Sequence, residues 1–151
     1  MVRRAWKRVS SRAMSDSMIS SNPAVCNARL ERANADGLVL SVPGTGYTLH
    51  LKAAGPTTVA IGKRIAGTVS GCALKFNRAH AGGEFIEPTD GHPRIVQGRI
   101  RTIDPSANRV LLQAAIPMWI TLQPDQSARE FAAGDFVNFY MESGVTFTPQ
   151  A

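Results

Sequence analysis

Ten side chains in this 151-residue sequence have the chemistry to grip an anion or a nucleobase. Arg29, Arg32, Lys52, Lys63, Arg64 and Lys75 are cations of the first half, with Tyr47 among them; Arg99, Arg101 and Trp119 follow in the second. Guanidinium and ammonium groups neutralise phosphates, and aromatic rings stack on bases, each stack contributing about 1–3 kcal/mol. Single-stranded nucleic acid or a small anionic ligand needs that combination. Arg78 and Tyr140 extend the two sets.

Other chemistry finds less support. "GTVSG" (67–71) lacks the Gly-x-Ser-x-Gly spacing that a strained strand-to-helix elbow needs to present a nucleophile. His80, Glu84, Glu87, Asp90 and His92 are types that ligate metals, but their run "HAGGEFIEPTDGH" is rich in Gly and Pro. A metal centre wants imidazoles held rigidly by outer partners, so this run reads as solvated loop. His50 lies between Leu49 and Leu51 and is expected on the opposite, outer face of a strand. Cys26 and Cys72 form no CxxC pair and read as reduced structural residues. The expectation is a protein that is not an enzyme and carries no cofactor or metal.

Charge narrows where an anion would dock. The formal net charge is +6, with a net +4 on residues 1–26, +4 on 27–76 and −2 on 77–151. A basic surface therefore belongs to the tail and the first half. The start "MVRRAWKRVSSRAMSDS" has no apolar stretch after its basic residues, so it reads as a disordered basic tail or as an extension ahead of a start at Met14. No apolar run is long enough to cross a bilayer, and the chain is expected to be cytoplasmic.

The elements that must position these residues are short strands, written twice. "VAIGKRIAGTVSGCALKF" (59–76) is echoed by "FAAGDFVNFYMESGVTF" (131–147). Upstream, "ARLER" (28–32) matches "GRIRT" (98–102), "LVL" (38–40) matches "VLL" (110–112), and "YTLHL" (47–51) matches "MWITL" (118–122). The offset drifts from 70 to 72 between strands, where loops absorb insertions. Val137, Phe139 and Met141 alternate with Asn138, Tyr140 and Glu142, the period-2 pattern of a half-buried strand. "DG" (36–37) predicts a tight hairpin and "DPSAN" (104–108) a longer turn. Only "DQSAREFAAG" (125–134) suggests a helical turn, with Asp125 or Ser127 as its cap.

Strands this short leave unpaired edges in an open sheet, and curling into a barrel removes them. The expectation is an all-β protein: a basic tail (1–26), a first barrel repeat (27–76), a linker (77–96) and a second barrel repeat (97–151). The repeats would pack together or share strands, with at most one short helical turn per half.

The pattern "VQGRIRTIDPSANRVLLQ…MWITL…FAAGDFVNFYM" resembles small OB-type barrels. The tandem arrangement is most similar to paired TOBE domains, which bind molybdate and related oxyanions. Phe131, Gly134, Asp135, Val137, Ser143 and Val145 sit at such positions, as do Ile61, Gly62, Val69, Ser70 and Gly71 in the first half. Lys63 there replaces the acid, and the Ser-Arg-Asn opening of oxyanion binders is absent from both halves. The resemblance implies OB-like barrels and makes oxyanion binding one alternative. Arg8, Arg12, Ser41 and Gly44 resemble parts of the PilZ cyclic-dinucleotide motifs, with Val39 where an acid or amide belongs. Met118 and Trp119 resemble the strand of periplasmic copper carriers, without a second methionine or a partnering histidine. Possible partners are thus a single strand of nucleic acid, a small anion, another protein or a second copy of the chain.

Overall fold

The computed structural model describes residues 23–150. The basic stretch over residues 1–22, including Arg8, Arg12 and Met14, lies outside them. The protein is all-β and contains a closed five-strand barrel. Its strands are β1 (Cys26–Ala33), β2 (Leu38–Ser41), β3 (Thr48–Ala53), β4 (Arg64–Cys72), β5 (Asn77–Arg78), β6 (Phe85–Glu87), β7 (Asp90–Gly91), β8 (Ile95–Asp104), β9 (Arg109–Gln113), β10 (Pro117–Thr121), β11 (Phe136–Tyr140) and β12 (Thr146–Pro149).

Alternation dictates which way each strand faces. Cys26, Ala28 and Leu30 of β1, Leu38 and Leu40 of β2, Leu49 and Leu51 of β3, and Ile65, Gly67 and Val69 of β4 are buried, while the residues alternating with them face outward. Antiparallel β1–β2, β2–β3 and β1–β4 pairings join these four strands, leaving a gap between β3 and β4. The last strand of the chain closes it. β12 runs parallel to β3 and antiparallel to β4, with Thr146 beside both Lys52 and Ser70. Phe147 is thereby buried completely. The fit requires Gly67: a Cβ there would overlap the Thr148 carbonyl and the Phe147 ring.

The later strands extend the sheet from the far end of β4. β8 pairs with β9 and β11, β9 pairs with β10, and β10 runs parallel to the far end of β4 at Ser70–Cys72. The chain continues from β4 through Ala73, which bridges Met141, into β5, which pairs with β11. β4 thus joins the five-strand barrel to the later strands. One continuous apolar cluster runs through both, from Leu30 and Phe147 to Ile100, Leu112 and Phe139.

One local expectation is corrected. The second half contains two short 3-10 turns, not at most one: Pro105–Ala107 and Ala128–Glu130. Proline pre-sets φ for the first, which closes on Asn108 in the left-handed region (φ 52°). The second is capped by Ser127, whose Oγ accepts the Arg129 N–H while Glu130 returns a carboxylate to the Ser127 N–H. The tight hairpin expected at 36–37 joins β1 to β2: the Asn34 N–H donates to the Gly37 carbonyl at 3.0 Å, and Asn34 Oδ1 accepts the N–H groups of Asp36 and Gly37.

Residues 77–94 carry β5, β6 and β7 and lie against the barrel. β6 pairs with β8, β7 pairs with β3, and Ile86 is buried. Among the described residues, no helix is long and apolar enough to cross a membrane.

Candidate binding surface

The outer face of β1 and β4 brings three of the candidate cations together. Arg29 and Arg64 are direct partners across the antiparallel ladder, both exposed, so their side chains rise from the same face. Lys63 precedes Arg64 in a turn pinned to β1: the Leu30 N–H donates to the Lys63 carbonyl at 2.9 Å, and the Gly62 N–H to the Leu30 carbonyl at 2.6 Å. Gly62 makes this turn with φ +89°, a conformation that side-chain-bearing residues resist. Among the described residues, no carboxylate lies within 4.0 Å of Arg29, Lys63 or Arg64. Nearby Glu31 instead accepts the Ser41 hydroxyl. Like charges directly opposed on a ladder are destabilising, so this row has an electrostatic cost that an anion would relieve.

The remaining candidates are dispersed. Arg32 is exposed farther along β1, opposite Val39. Lys52, at the end of β3, walls a groove of about 170 Å³ with His92, Pro93 and Ser143. Lys75 is exposed between β4 and β5. Tyr47 does not present a stacking face to this row: it packs on the core, and its hydroxyl accepts the Ile86 N–H at 3.1 Å.

Farther along the chain three guanidinium groups, of Arg78, Arg99 and Arg109, lie on aromatic rings of the chain itself. Arg99 sits 4.9 Å over Phe136 and donates to the Gly134 carbonyl, while Arg101 reaches Gln113 at 3.5 Å. The guanidinium of Arg109 lies 3.9 Å over Trp119, covering one face of that ring. Arg78 lies 4.9 Å over Phe131 and forms a 3.5 Å ion pair with Asp135. Sequence reasoning missed Arg109 as the partner of Trp119. The signal was the β9–β10 register, which places Leu111 opposite Trp119 and brings Arg109 alongside on the same face. Tyr140 is the exposed aromatic of the second half, 62% accessible.

Arg109 also holds Asp104. Its Nε donates to one carboxylate oxygen at 3.0 Å and the Ser106 hydroxyl donates to the other at 2.9 Å, keeping the Asp104 carboxyl below its ordinary range. A depressed native pKa contributes stability above the unfolded-state value, lost as pH falls through the native one. Asp104→Asn therefore flattens the acid limb of a melting-temperature profile, and Arg109→Ala moves the Asp104 carboxyl titration, followed by NMR, back upward. An unmoved titration in Arg109→Ala contradicts this assignment.

His50 faces outward, its Nε2 2.9 Å from Asp90 and its ring 5.7 Å from that of His92. Among the described residues, no group of three or more His, Cys, Asp or Glu could hold a metal ion. Both cysteines are free thiols: burial pushes Cys26 up to about 11, and burial together with Glu142 raises Cys72. Neither thiol is activated as a nucleophile at neutral pH. Met118, considered above as a copper ligand, is fully buried in the core.

These features define the class: an all-β barrel protein with an unneutralised cationic row on its outer face. No protein-family model, curated protein or solved structure matches the chain.

Proposed function

We propose that this protein is a non-catalytic binding module, built of two related OB-like units, that holds single-stranded nucleic acid by its phosphates. The observation carrying the proposal is the Arg29–Arg64 pair with adjacent Lys63, three exposed cations with no carboxylate within 4.0 Å among the described residues. A phosphate backbone supplies negative charge at intervals that a row of arginines can follow.

Repeated local geometry supports the two-unit reading. The β1–β2 ladder shifts register between Leu30 and Arg32, and the β8–β9 ladder between Ile100 and Thr102. The Gly134 N–H donates to the Ile100 carbonyl and the Ile100 N–H to the Asp135 carbonyl, the same pair of bonds that Gly62, Leu30 and Lys63 make.

The test is fluorescence anisotropy of labelled ten-nucleotide strands across a salt series. Affinity should fall with salt, by about 0.7 in logarithmic slope for each phosphate neutralised. The double variant Lys63→Ala/Arg64→Ala should weaken all sequences alike and flatten that slope. Salt-insensitive binding, or no binding of DNA or RNA, refutes the proposal.

A further inference from the structure

We propose that the groove beside Arg64 seats one nucleobase of the bound strand, an inference that rests on the nucleic-acid reading above. The groove holds about 390 Å³ between the Pro56–Val59 stretch, the start of β4 and the end of β12. Pro56, Val59, Ala66 and Pro149 supply apolar wall, and Thr58 and Gln150 supply polar groups at the edge. That size is within the range of about 300–1,000 Å³ usual for small-ligand sites.

The corresponding corner of the second half shows what such a space accepts. There the chain fills it with its own flat group: the Arg78 guanidinium lies over Phe131, donates to the Glu130 carbonyl at 2.8 Å and faces the Asp135 carboxylate. In the aligned positions of the first half, Val59 stands for Phe131, Lys63 for Asp135 and Ala66 for Asn138. Ring, carboxylate and amide are replaced by smaller or oppositely charged side chains. In the first corner the place of the Asp135 carboxylate is taken by the cation Lys63.

A corner whose carboxylate has become a lysine, flanked by Arg64 and Arg29, selects a ligand with negative charge at the rim. The apolar walls select a flat body behind that charge. A nucleotide unit of a single strand has both parts, its phosphate at Arg64 and Arg29 and its base against Pro56 and Pro149. Arg64 suits this junction because a guanidinium can stack on a base plane as well as pair with phosphate. Thr58 and Gln150 offer donors and acceptors to the base edge without the fixed bidentate geometry that would restrict its identity.

The experiment compares a labelled ten-nucleotide thymidine strand with an abasic strand of equal length and charge, by anisotropy at one salt concentration. The wild type should bind the base-bearing strand about tenfold more tightly, the worth of one stacked base. Ala66→Leu narrows the groove and should reduce that preference to about twofold or less while leaving the salt slope unchanged. Thr58→Leu, at an exposed position on the rim, should act in the same direction and guards against a folding defect in the first variant. Equal wild-type affinity for the two strands, or an equal weakening of both in the two variants, overturns the base site while leaving the phosphate-binding reading of the wild type standing. Failure of both strands to bind defeats the nucleic-acid reading itself.

Discussion

Phe147→Ala should cost about 3–5 kcal/mol of folding stability, the largest loss expected from a single substitution in this chain. The residue sits on a strand of four residues, yet its side chain is wholly buried inside the five-strand barrel. Its neighbours cannot collapse into the space it leaves. Gly67 has no side chain to move, and the flanking strands are fixed by ladder bonds, including Lys52 N–H to Val145 carbonyl and Ala54 N–H to Phe147 carbonyl, both 2.9 Å. The loss therefore combines the transfer energy of the ring with that of a cavity lined by Val69 and its neighbours. Urea unfolding reads it directly, and the melting temperature should fall by on the order of 10 °C. Tyr140→Ala is the control: its ring is exposed, and the change should stay within about 0.5 kcal/mol. A loss below about 1 kcal/mol for Phe147→Ala contradicts a barrel closed by β12. Hydrogen exchange offers an independent check, because opening of β12 should deprotect the Lys52 and Ala54 amides together.

The second large effect is on binding, and it is accompanied by an opposite change in stability. Replacing both arginines of the opposed row, Arg29→Gln/Arg64→Gln, should weaken single-strand binding by at least about tenfold and flatten its salt slope by about 1.4, two phosphate contacts at about 0.7 each. The folded protein should be no less stable than the wild type, because the substitution removes a like-charge pair from a ladder. Glutamine preserves length and hydrogen-bonding capacity, so the comparison isolates charge. A merely structural role for the two arginines predicts the reverse: lower stability and an unchanged salt slope. Both readouts come from the same protein sample, and they separate a binding surface from an ordinary solvated face.

Much of the fold was legible from particular residues. Leu30, Leu40, Leu49, Val137 and Phe139 face the core as their alternation predicts, since the period of two is a property of the strand backbone that needs no partner to express it. Gly62 and Gly134, the shared glycines of the paired phrases, both take left-handed φ. Of the two caps expected over 125–134, Asp125 or Ser127, it is Ser127 that caps a turn, at Ala128–Glu130. The candidate site was legible as a set of cations but not as a surface. Arg29 and Arg64 are far apart in sequence, and only the β1–β4 register makes them opposite neighbours. Tyr47 looked available for stacking until the segment bearing Ile86 folded over it and took its hydroxyl.

By itself, then, the sequence determined an all-β chain, the inward and outward faces of its strands, and a basic first half, because each follows from side-chain type and local periodicity. Tertiary structure alone decided that β12 returns to sit between β3 and β4, that β10 pairs with the far end of β4, and which cations share a face. Those outcomes depend on satisfying the backbone groups of strand edges distant in the chain. The residues at such an edge carry no local mark of which later segment will pair with them.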